Sequence, residues 1–423
     1  MKLSRVLCVL WVGLLAAQPA ADPAGVARKA LDLLLGQKNT DLIALLAPQA
    51  KATFTEAALG KMATEIQSWG ALETVGDASA RKVGPNNVVA IPVKFATQTI
   101  NFQFGVNDAG LITAMFHAPA PLEWVRPAYS KPDAFRERDV TVGEGEIKLP
   151  GTLTVPTAGG RHPGVVLVHT NGPLDRDETI GGVKMFKDLA EGLASRGIVV
   201  LRYEKRTRQY PNVPRAPKYT VEKETVDDAV AAASLLRSQP EVNPQRIFVL
   251  GHGLGGYMAP RIAAADGKLA GLILMAANER PLEDLVVDQA IYMGLSQRQV
   301  DAIKAGAAKV KTVDTADEDA PPVLGMTATY IISLKDYDAA GEAKKVTAPI
   351  LVLHAGRDFE VTAKDFDLWK AGLAGRKDAT FHQFPALNHL MVAGEGKSTD
   401  AEYRKAGHVA PEIVDEIARW IAP

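Results

Sequence analysis

IFVLGHGLGGYMA, residues 247 to 259, is the stretch that decides the fold of this chain. An apolar run ends in a glycine-rich turn and a helix-like pattern follows at once, which indicates a strand, a tight turn and a helix in direct succession. The spacing Gly251-x-Gly253-x-Gly255 has the form G-x-S-x-G, in which a strained turn presents a nucleophilic serine. Here the central residue is Gly253, so the predicted turn lacks the usual attacking atom.

Gly253 has two interpretations. Glycine lacks a Cβ, so it suits any strand-to-helix turn that needs a left-handed or strained backbone. Alternatively, the turn is a nucleophile elbow whose serine has been lost. The second interpretation is preferred, because residues that would serve such a nucleophile occur downstream in the required order.

Asp358 and His389 are the candidate partners of the elbow. Acyl transfer needs a nucleophile, a base that takes its proton and an acid that orients the base, and in this layout they occur in the chain order nucleophile, acid, base. Asp358 and His389 each follow an apolar strand-like run, and they come after the elbow in that order. Asp365 and Asp367 compete for the role of the acid, but they are predicted to lie on a helix.

The loop 169–173 is the predicted source of the donors that stabilise an oxyanion. Backbone N–H groups around Thr170 and Asn171, together with that of Leu254 after the elbow, could face a carbonyl oxygen, and the Asn171 side chain could add a donor. A plain connecting loop is the alternative. The Thr170 hydroxyl, or a water activated by His389, could take the place of the missing serine.

From residue 138 onward, helix-length segments alternate with short apolar strands. This alternation predicts a mostly parallel sheet that is covered by helices on both faces. The segment 278–345 interrupts the pattern and is polar and helix-prone. We predict a helical cap there, since the segment is longer than one crossover needs; ordinary surface helices are the alternative. Residues 128–423 are therefore assigned to one α/β unit with a cap insertion.

The N-terminal part of the chain has a different character. Residues 1–21 combine a positive start, a short apolar run and small residues, as a secretory signal peptide does, so we predict an exported protein, periplasmic or extracellular. The apolar run is too short to favour a membrane span. Residues 22–127 pass from helical spacing to alternating strands, which predicts a small α+β domain.

Composition narrows the possible functions. The chain has 423 residues, a hydrophobic share of 47% and a net charge of -1, which favours two or three units with real cores and gives no indication of nucleic-acid binding. The 8 histidines include no H-E-x-x-H spacing, so no metal site and no cofactor are predicted. The letters G-x-G-x-x-G at 251–256 lie too deep in the chain for a dinucleotide fingerprint.

Several runs together resemble exported serine hydrolases of the α/β-hydrolase superfamily, and most closely the esterase-like members grouped with the serine aminopeptidase S33-like domain. The runs are HTNGPLDRDET (169–179), RYEKRT (202–207), GHGLGGYMAPR (251–261), RD (357–358) and LNH (387–389). The resemblance covers about residues 138–422, and the small N-terminal domain resembles one found beside such hydrolases.

The resemblance implies that Asp358 is the acid, that His389 is the base and that the oxyanion donors lie around Thr170 and Leu254. The family has serine where this chain has Gly253, and usually Gly-Ser where it has Thr170-Asn171. Both departures fall in the implied active site.

The expected fold is α/β: an α/β-hydrolase sheet, mostly parallel, with a helical cap and a small N-terminal α+β domain. The expected function is hydrolysis of small carboxylic esters, weakened or lost because the elbow carries Gly253. The alternative is a catalytically inactive pseudoenzyme that binds an acyl or ester ligand. In either case the expected partner is a small ester or acyl molecule.

Overall fold

The computed structural model describes residues 22–83, 86–120, 122–213 and 218–422. The predicted signal peptide, residues 1–21, lies outside these ranges, so the signal peptide and the export that it implies stay predictions. The chain divides into two compact units, with residues up to 121 in the first and residues from 122 onward in the second.

The first unit combines short helices with an antiparallel sheet. Its helices are α1 (Pro23–Leu35), α2 (Asn39–Ala44), α3 (Pro48–Lys51) and α4 (Glu56–Ser68), and its strands are β1 (Leu72–Val75), β2 (Ser79–Val83), β3 (Asn86–Phe95), β4 (Thr99–Asn107) and β5 (Ile112–Pro119). The strand order is β1-β3-β4-β5, with β2 paired to β3. Alternate residues of β4 are buried and join the buried face of α1 in one core, as a period of two predicts. The α+β prediction is confirmed for this unit.

The strands β1 and β2 were not predicted from the sequence. Both are largely exposed to solvent, so they carry no apolar alternation that would have marked them as strands.

The second unit is built on one large sheet. Its strands are β6 (Phe135–Val142), β7 (Leu149–Pro156), β8 (His162–Val168), β11 (Val199–Tyr203), β12 (Val242–His252), β13 (Gly271–Met275), β14 (Ile350–Ala355) and β15 (Ala379–Phe384), and β9 (Thr179–Ile180) and β10 (Val183–Lys184) form a separate short hairpin. The eight-stranded sheet has the order β15-β14-β13-β12-β8-β11-β7-β6. The strand β7 is antiparallel to its neighbours β6 and β11, and the other neighbours are parallel. The predicted fold class is confirmed.

Helices cover both faces of this sheet. They are α5 (Met185–Ala194), α6 (Arg206–Gln209), α7 (Asp227–Arg237), α8 (Leu254–Asp266), α9 (Leu282–Tyr292), α10 (Gln297–Thr312), α11 (Ala328–Leu334), α12 (Ala339–Lys345), α13 (Ala363–Gly372), α14 (Asp400–Tyr403) and α15 (Pro411–Ile421). One apolar core lies between the sheet and α7 and α8, and a second lies between the opposite face and α5 and α15. The strands at the centre are buried on both faces, which explains their continuous apolar runs.

The helices α9 to α12 occupy the interruption between β13 and β14. They fill the segment 278–345, for which the sequence predicted a helical insertion. The site residues follow the carboxyl ends of parallel strands: β12 ends at His252, β14 at Ala355 and β15 at Phe384. Loops at this edge are where open α/β sheets place their ligands.

The boundary between the units differs from the predicted one. We expected the first unit to end at 127, but residues from 122 onward belong to the second unit. The indole N–H of Trp124 donates to Asp188 at 2.8 Å, and Arg126 Nε donates to Glu191 at 2.7 Å. These two bonds attach the segment to α5, and a proline-rich sequence gives no sign of such anchoring.

None of the helices in the described residues is long and apolar enough to cross a membrane.

Candidate active site

Gly253 lies at the junction of β12 and α8, and its backbone has φ 50° and ψ -115°. This is the left-handed region, which costs a residue with a Cβ about 1–3 kcal/mol. Its N–H donates to the carbonyl of Met275 at 3.1 Å, and its own carbonyl accepts from Tyr257 at 2.9 Å. A Cβ on Gly255 would overlap the carbonyl oxygen of Val168. The elbow therefore has the strained, tightly packed form predicted from its glycines.

His389 and Asp358 meet beside this elbow. The Nδ1 of His389 donates to Asp358 Oδ2 at 2.8 Å, and the two side chains are 4% and 0% exposed. The other carboxylate oxygen of Asp358 accepts the backbone N–H groups of Glu360 at 2.8 Å and Val361 at 2.9 Å. A carboxylate fixed in this way orients the ring and leaves its Nε2 as the atom that can accept a proton.

The Nε2 of His389 faces the elbow. A Cβ placed on Gly253 would lie 3.8 Å from this nitrogen, a spacing that would allow a serine hydroxyl there to hydrogen-bond to the ring. The structure thus brings Gly253, Asp358 and His389 together. In the sequence, Asp358 follows Gly253 by 105 residues and His389 follows Asp358 by 31 residues.

The competing carboxylates are engaged elsewhere. Asp365 lies on α13 and accepts two guanidinium N–H groups of Arg280, at 3.1 and 2.8 Å. Asp367, on the same helix, pairs with Lys370 at 2.7 Å. Neither side chain is therefore the partner of His389.

The charge around His389 favours its protonated form. Burial lowers the pKa of His389, but the charges of Asp358 and Glu360 and the hydrogen bond that His389 donates to Asp358 together raise it to about 9. Glu360 Oε2 lies 4.0 Å from Nε2. A base acts only when it is neutral, so we expect catalysis to be limited at neutral pH by the small neutral fraction of this ring.

We expect the kcat/KM for a short acyl ester to rise from pH 7 and to level off above about pH 9. The variant Glu360→Gln removes one negative charge beside Nε2 and keeps an acceptor for Tyr403, whose hydroxyl donates to Glu360 at 2.6 Å. Its profile should move to lower pH by about 1 unit. The exposed Glu412→Gln is the matched control. An NMR titration of the imidazole protons measures the same shift without turnover, and an unmoved profile and titration in Glu360→Gln would contradict this assignment.

The backbone of Thr170 is held at both ends by buried charged groups. Its N–H donates to Glu178 Oε1 at 2.8 Å, and its carbonyl accepts from Lys205 Nζ at 2.7 Å. This arrangement corrects one expectation. The N–H of Thr170 is occupied by Glu178, so it does not serve as an oxyanion donor.

The other two predicted donors are placed differently. Asn171 and Leu254 follow Thr170 and Gly253 directly, and neither N–H is hydrogen-bonded to another residue in the described part of the chain. Leu254 is the first residue of α8, where backbone N–H groups and the helix dipole favour negative charge. These two N–H groups border the elbow.

A second carboxylate–histidine contact lies beside that of Asp358 and His389. Glu178 Oε1 is 3.3 Å from Nδ1 of His252, and both side chains are fully buried. Burial raises the pKa of Glu178, but its electrostatic interaction with His252 and the hydrogen bond that it accepts from the Thr170 N–H outweigh burial, and the pKa ends below its usual value. The ring of His252 packs against that of His389, with centroids 4.4 Å apart. Glu178 therefore links the loop that carries Thr170 to the end of β12.

Lys205, which holds the carbonyl of Thr170, also forms a buried ion pair. It pairs with the buried Glu224 at 2.9 Å. Sequence reasoning assigned no role to Glu178, Lys205, Glu224 or His252. Glu178, Lys205 and His252 stand within runs that were quoted only for their resemblance, and Glu224 lies outside those runs. The contacts of all four with the site arise from the folding of distant segments.

A cavity of about 620 Å³ lies near this group of residues, although Gly253, Asp358 and His389 are not among the residues that line it. Its lining includes Asn171 and Gly172 from the oxyanion loop, Glu360 near His389, and apolar side chains of α9 such as Leu285. The cap helices therefore form part of its wall, and the volume suits a small organic ligand. In the residues described by the structure, no group of three or more His, Cys, Asp or Glu side chains is arranged to hold a metal ion.

Comparison with known proteins gives four matches. The family described as "Serine aminopeptidase, S33" matches residues 181–396, a range that includes Gly253, Asp358 and His389. Esterase EstD of Thermotoga maritima is 40% identical over 333 residues, which are 78% of each chain. Est1E from Butyrivibrio proteoclasticus has a TM-score of 0.45 at 15% identity, over 67% of this chain and 99% of that one. The Pyrococcus furiosus esterase Pf2001 has a TM-score of 0.44 at 14% identity, over 71% and 96%.

Proposed function

The chain belongs to the serine aminopeptidase S33 family of hydrolases, and from this we propose that it hydrolyses small carboxylic esters with His389 as the base and Asp358 as its orienting acid. The rate is lower than that of an enzyme with a serine at the elbow, because Gly253 has no hydroxyl. The esterase EstD, 40% identical over 78% of each chain, supports the choice of reaction.

One observation carries the proposal. The Nε2 of His389 lies 3.8 Å from the point that a Cβ at position 253 would occupy, while its Nδ1 is fixed by Asp358 at 2.8 Å. A buried imidazole held by a carboxylate and aimed at an elbow is the arrangement that deprotonates an attacking oxygen. The cavity of about 620 Å³ next to it provides room for a small ester.

In the reaction, the ester carbonyl would lie against the N–H groups of Asn171 and Leu254. His389 would take the proton of the attacking oxygen and deliver it to the leaving alcohol. Asp358 would stabilise the imidazolium that forms between these steps.

A pseudoenzyme is the second candidate, and the observation that favours it is the glycine at the elbow itself. In this case the cavity binds an ester or acyl ligand without turnover. Loss of a triad residue still leaves roughly 10³–10⁴-fold catalysis over water in a well-studied serine protease. The two candidates are therefore separated by whether turnover depends on His389.

We expect purified protein to release p-nitrophenol from p-nitrophenyl acetate and butyrate, and we expect His389→Ala to reduce this rate about tenfold or more, because no base then remains. The matched control is His382→Ala, which removes a half-exposed histidine of the same unit. Retention of the parent's full rate by His389→Ala would refute the proposal. Saturable ligand binding without any His389-dependent turnover would favour the pseudoenzyme.

A further inference from the structure

The side chain of Thr170 fills the space in which an elbow serine would stand. A Cβ built on Gly253 overlaps Thr170 Oγ1 and lies 2.9 Å from Thr170 Cβ. The hydroxyl of Thr170 therefore lies in the space that the first side-chain atom of an elbow serine would fill, although it comes from a loop after β8 and not from the elbow.

The Cβ built on Gly253 lies 3.8 Å from Nε2 of His389. Because Thr170 Oγ1 overlaps this Cβ, a rotation of the threonine side chain or one bridging water would connect the hydroxyl to the imidazole. Threonine hydroxyls form covalent intermediates in enzymes when a base activates them. The atom that the elbow lacks is thus supplied beside it.

Thr170 is fixed more firmly than a loop residue usually is. Its N–H donates to the buried carboxylate of Glu178, and its carbonyl accepts from the buried ammonium of Lys205. Glu178 and Lys205 are themselves paired with His252 and Glu224. Groups held by buried neighbours keep the geometry that catalysis requires.

The donors for the developing charge lie next to this hydroxyl along both segments. Asn171 is the residue after Thr170, and Leu254 is the residue after Gly253. In the reaction proposed here, these two backbone N–H groups would receive the oxygen of a carbonyl whose carbon approaches Thr170 Oγ1.

We propose that Thr170 is the nucleophile of this protein, which attacks the ester through Oγ1 at the position vacated at Gly253. This inference rests on the ester hydrolysis proposed above and names the atom that performs its first step.

The chemistry balances without a further reactant. Oγ1 bonds to the ester carbonyl carbon while its proton passes to Nε2 of His389, and the tetrahedral oxyanion forms at the N–H groups of Asn171 and Leu254. The bond to the alcohol oxygen then breaks, and His389 protonates the leaving alcohol. A water, deprotonated by His389, attacks the acyl-threonine, the acyl–Oγ1 bond breaks, and the proton returns to Thr170.

The test compares Thr170→Val with Thr170→Ser. Valine keeps the shape and removes the hydroxyl, so we expect p-nitrophenyl acetate hydrolysis to fall about tenfold or more, to the level of His389→Ala. Serine keeps the hydroxyl, so we expect a rate within about tenfold of the parent's. Thr225→Val is the matched control, since Thr225 is a buried threonine whose hydroxyl has no hydrogen-bond partner among the described residues.

A covalent readout separates this role from a structural one. Parent protein is treated with a fluorophosphonate probe, digested and mapped by mass spectrometry, and we expect the adduct on the peptide that contains Thr170. An unlabelled Thr170, with His389-dependent hydrolysis retained in Thr170→Val, would overturn the inference and leave attack by water as the route. Absence of hydrolysis in the parent would overturn the proposed function. If the adduct on Thr170 were also absent from that sample, the assignment of Thr170 as the nucleophile would be overturned as well.

Discussion

The double variant Thr170→Gly/Gly253→Ser is expected to hydrolyse short acyl esters at least about 10³-fold faster than either single variant, because loss of a triad nucleophile costs on the order of 10⁶ in kcat in a well-studied serine protease. The single Gly253→Ser places its Cβ against Oγ1 and Cβ of Thr170, so the new side chain cannot take the position that faces His389. The single Thr170→Gly opens the space but supplies no hydroxyl. Only the pair both removes the obstruction and places a serine hydroxyl on the elbow.

The control for the double variant is Thr170→Gly/Gly253→Ala, which makes the same space and adds a Cβ without an oxygen. It should remain as slow as Thr170→Gly. Steady-state kinetics on p-nitrophenyl butyrate and fluorophosphonate labelling at position 253 give independent readouts. If Gly253→Ser alone were as active and as fully labelled as the double variant, the steric conflict with Thr170 would not exist in solution.

Gly251→Ala is expected to lower the free energy of unfolding of the second unit by roughly 3 kcal/mol or more, near the upper end of the cost of overpacking a core. A Cβ at this position overlaps the backbone of Gly255 and Gly256 in the first turn of α8. Backbone atoms cannot rotate out of the way as a flexible side chain can, so the start of α8 must move. The elbow moves with it, and a displacement of about 1 Å at a catalytic site costs on the order of 10²-fold in rate.

Thermal unfolding followed by circular dichroism measures the first effect, and ester hydrolysis at 25 °C measures the second. The control is Gly159→Ala, since a Cβ on Gly159 has nothing within 4 Å. It should leave both the unfolding temperature and the rate unchanged. An unfolding temperature of Gly251→Ala equal to that of Gly159→Ala would mean that the strand and helix are not packed as closely as described.

The fold followed from local patterns because most of its elements are buried on a regular face. The strands β8, β12 and β13 have the continuous apolar runs of a sheet covered on both sides. The exposed strands β1 and β2 have no such pattern and were missed. The boundary near 121 was also missed, since it depends on hydrogen bonds of Trp124 and Arg126 to α5.

The candidate site was predictable where it depends on order and spacing. Asp358 and His389 were identified because each follows a strand, and the carboxyl ends of parallel strands meet at one edge of the sheet. Thr170 was assigned to the oxyanion donors by its place in the loop, which cannot indicate that Glu178 occupies its N–H. The same place in the loop made its hydroxyl one of two candidates for the role of the missing serine, but it could not show that the hydroxyl overlaps the space beside Gly253.

The sequence by itself determined the sheet, the elbow and the pairing of Asp358 with His389, since each of these depends on periodicity, on glycine at fixed spacing or on chain order. Only the tertiary structure decided what stands in the place of the missing serine. Thr170 and Gly253 are 83 residues apart in the sequence. The Thr170 side chain fills the space beside Gly253 only because β8 and β12 are parallel neighbours, whose carboxyl ends bring the two loops together. A contact of that kind depends on packing between distant segments, and no local pattern of residues encodes it.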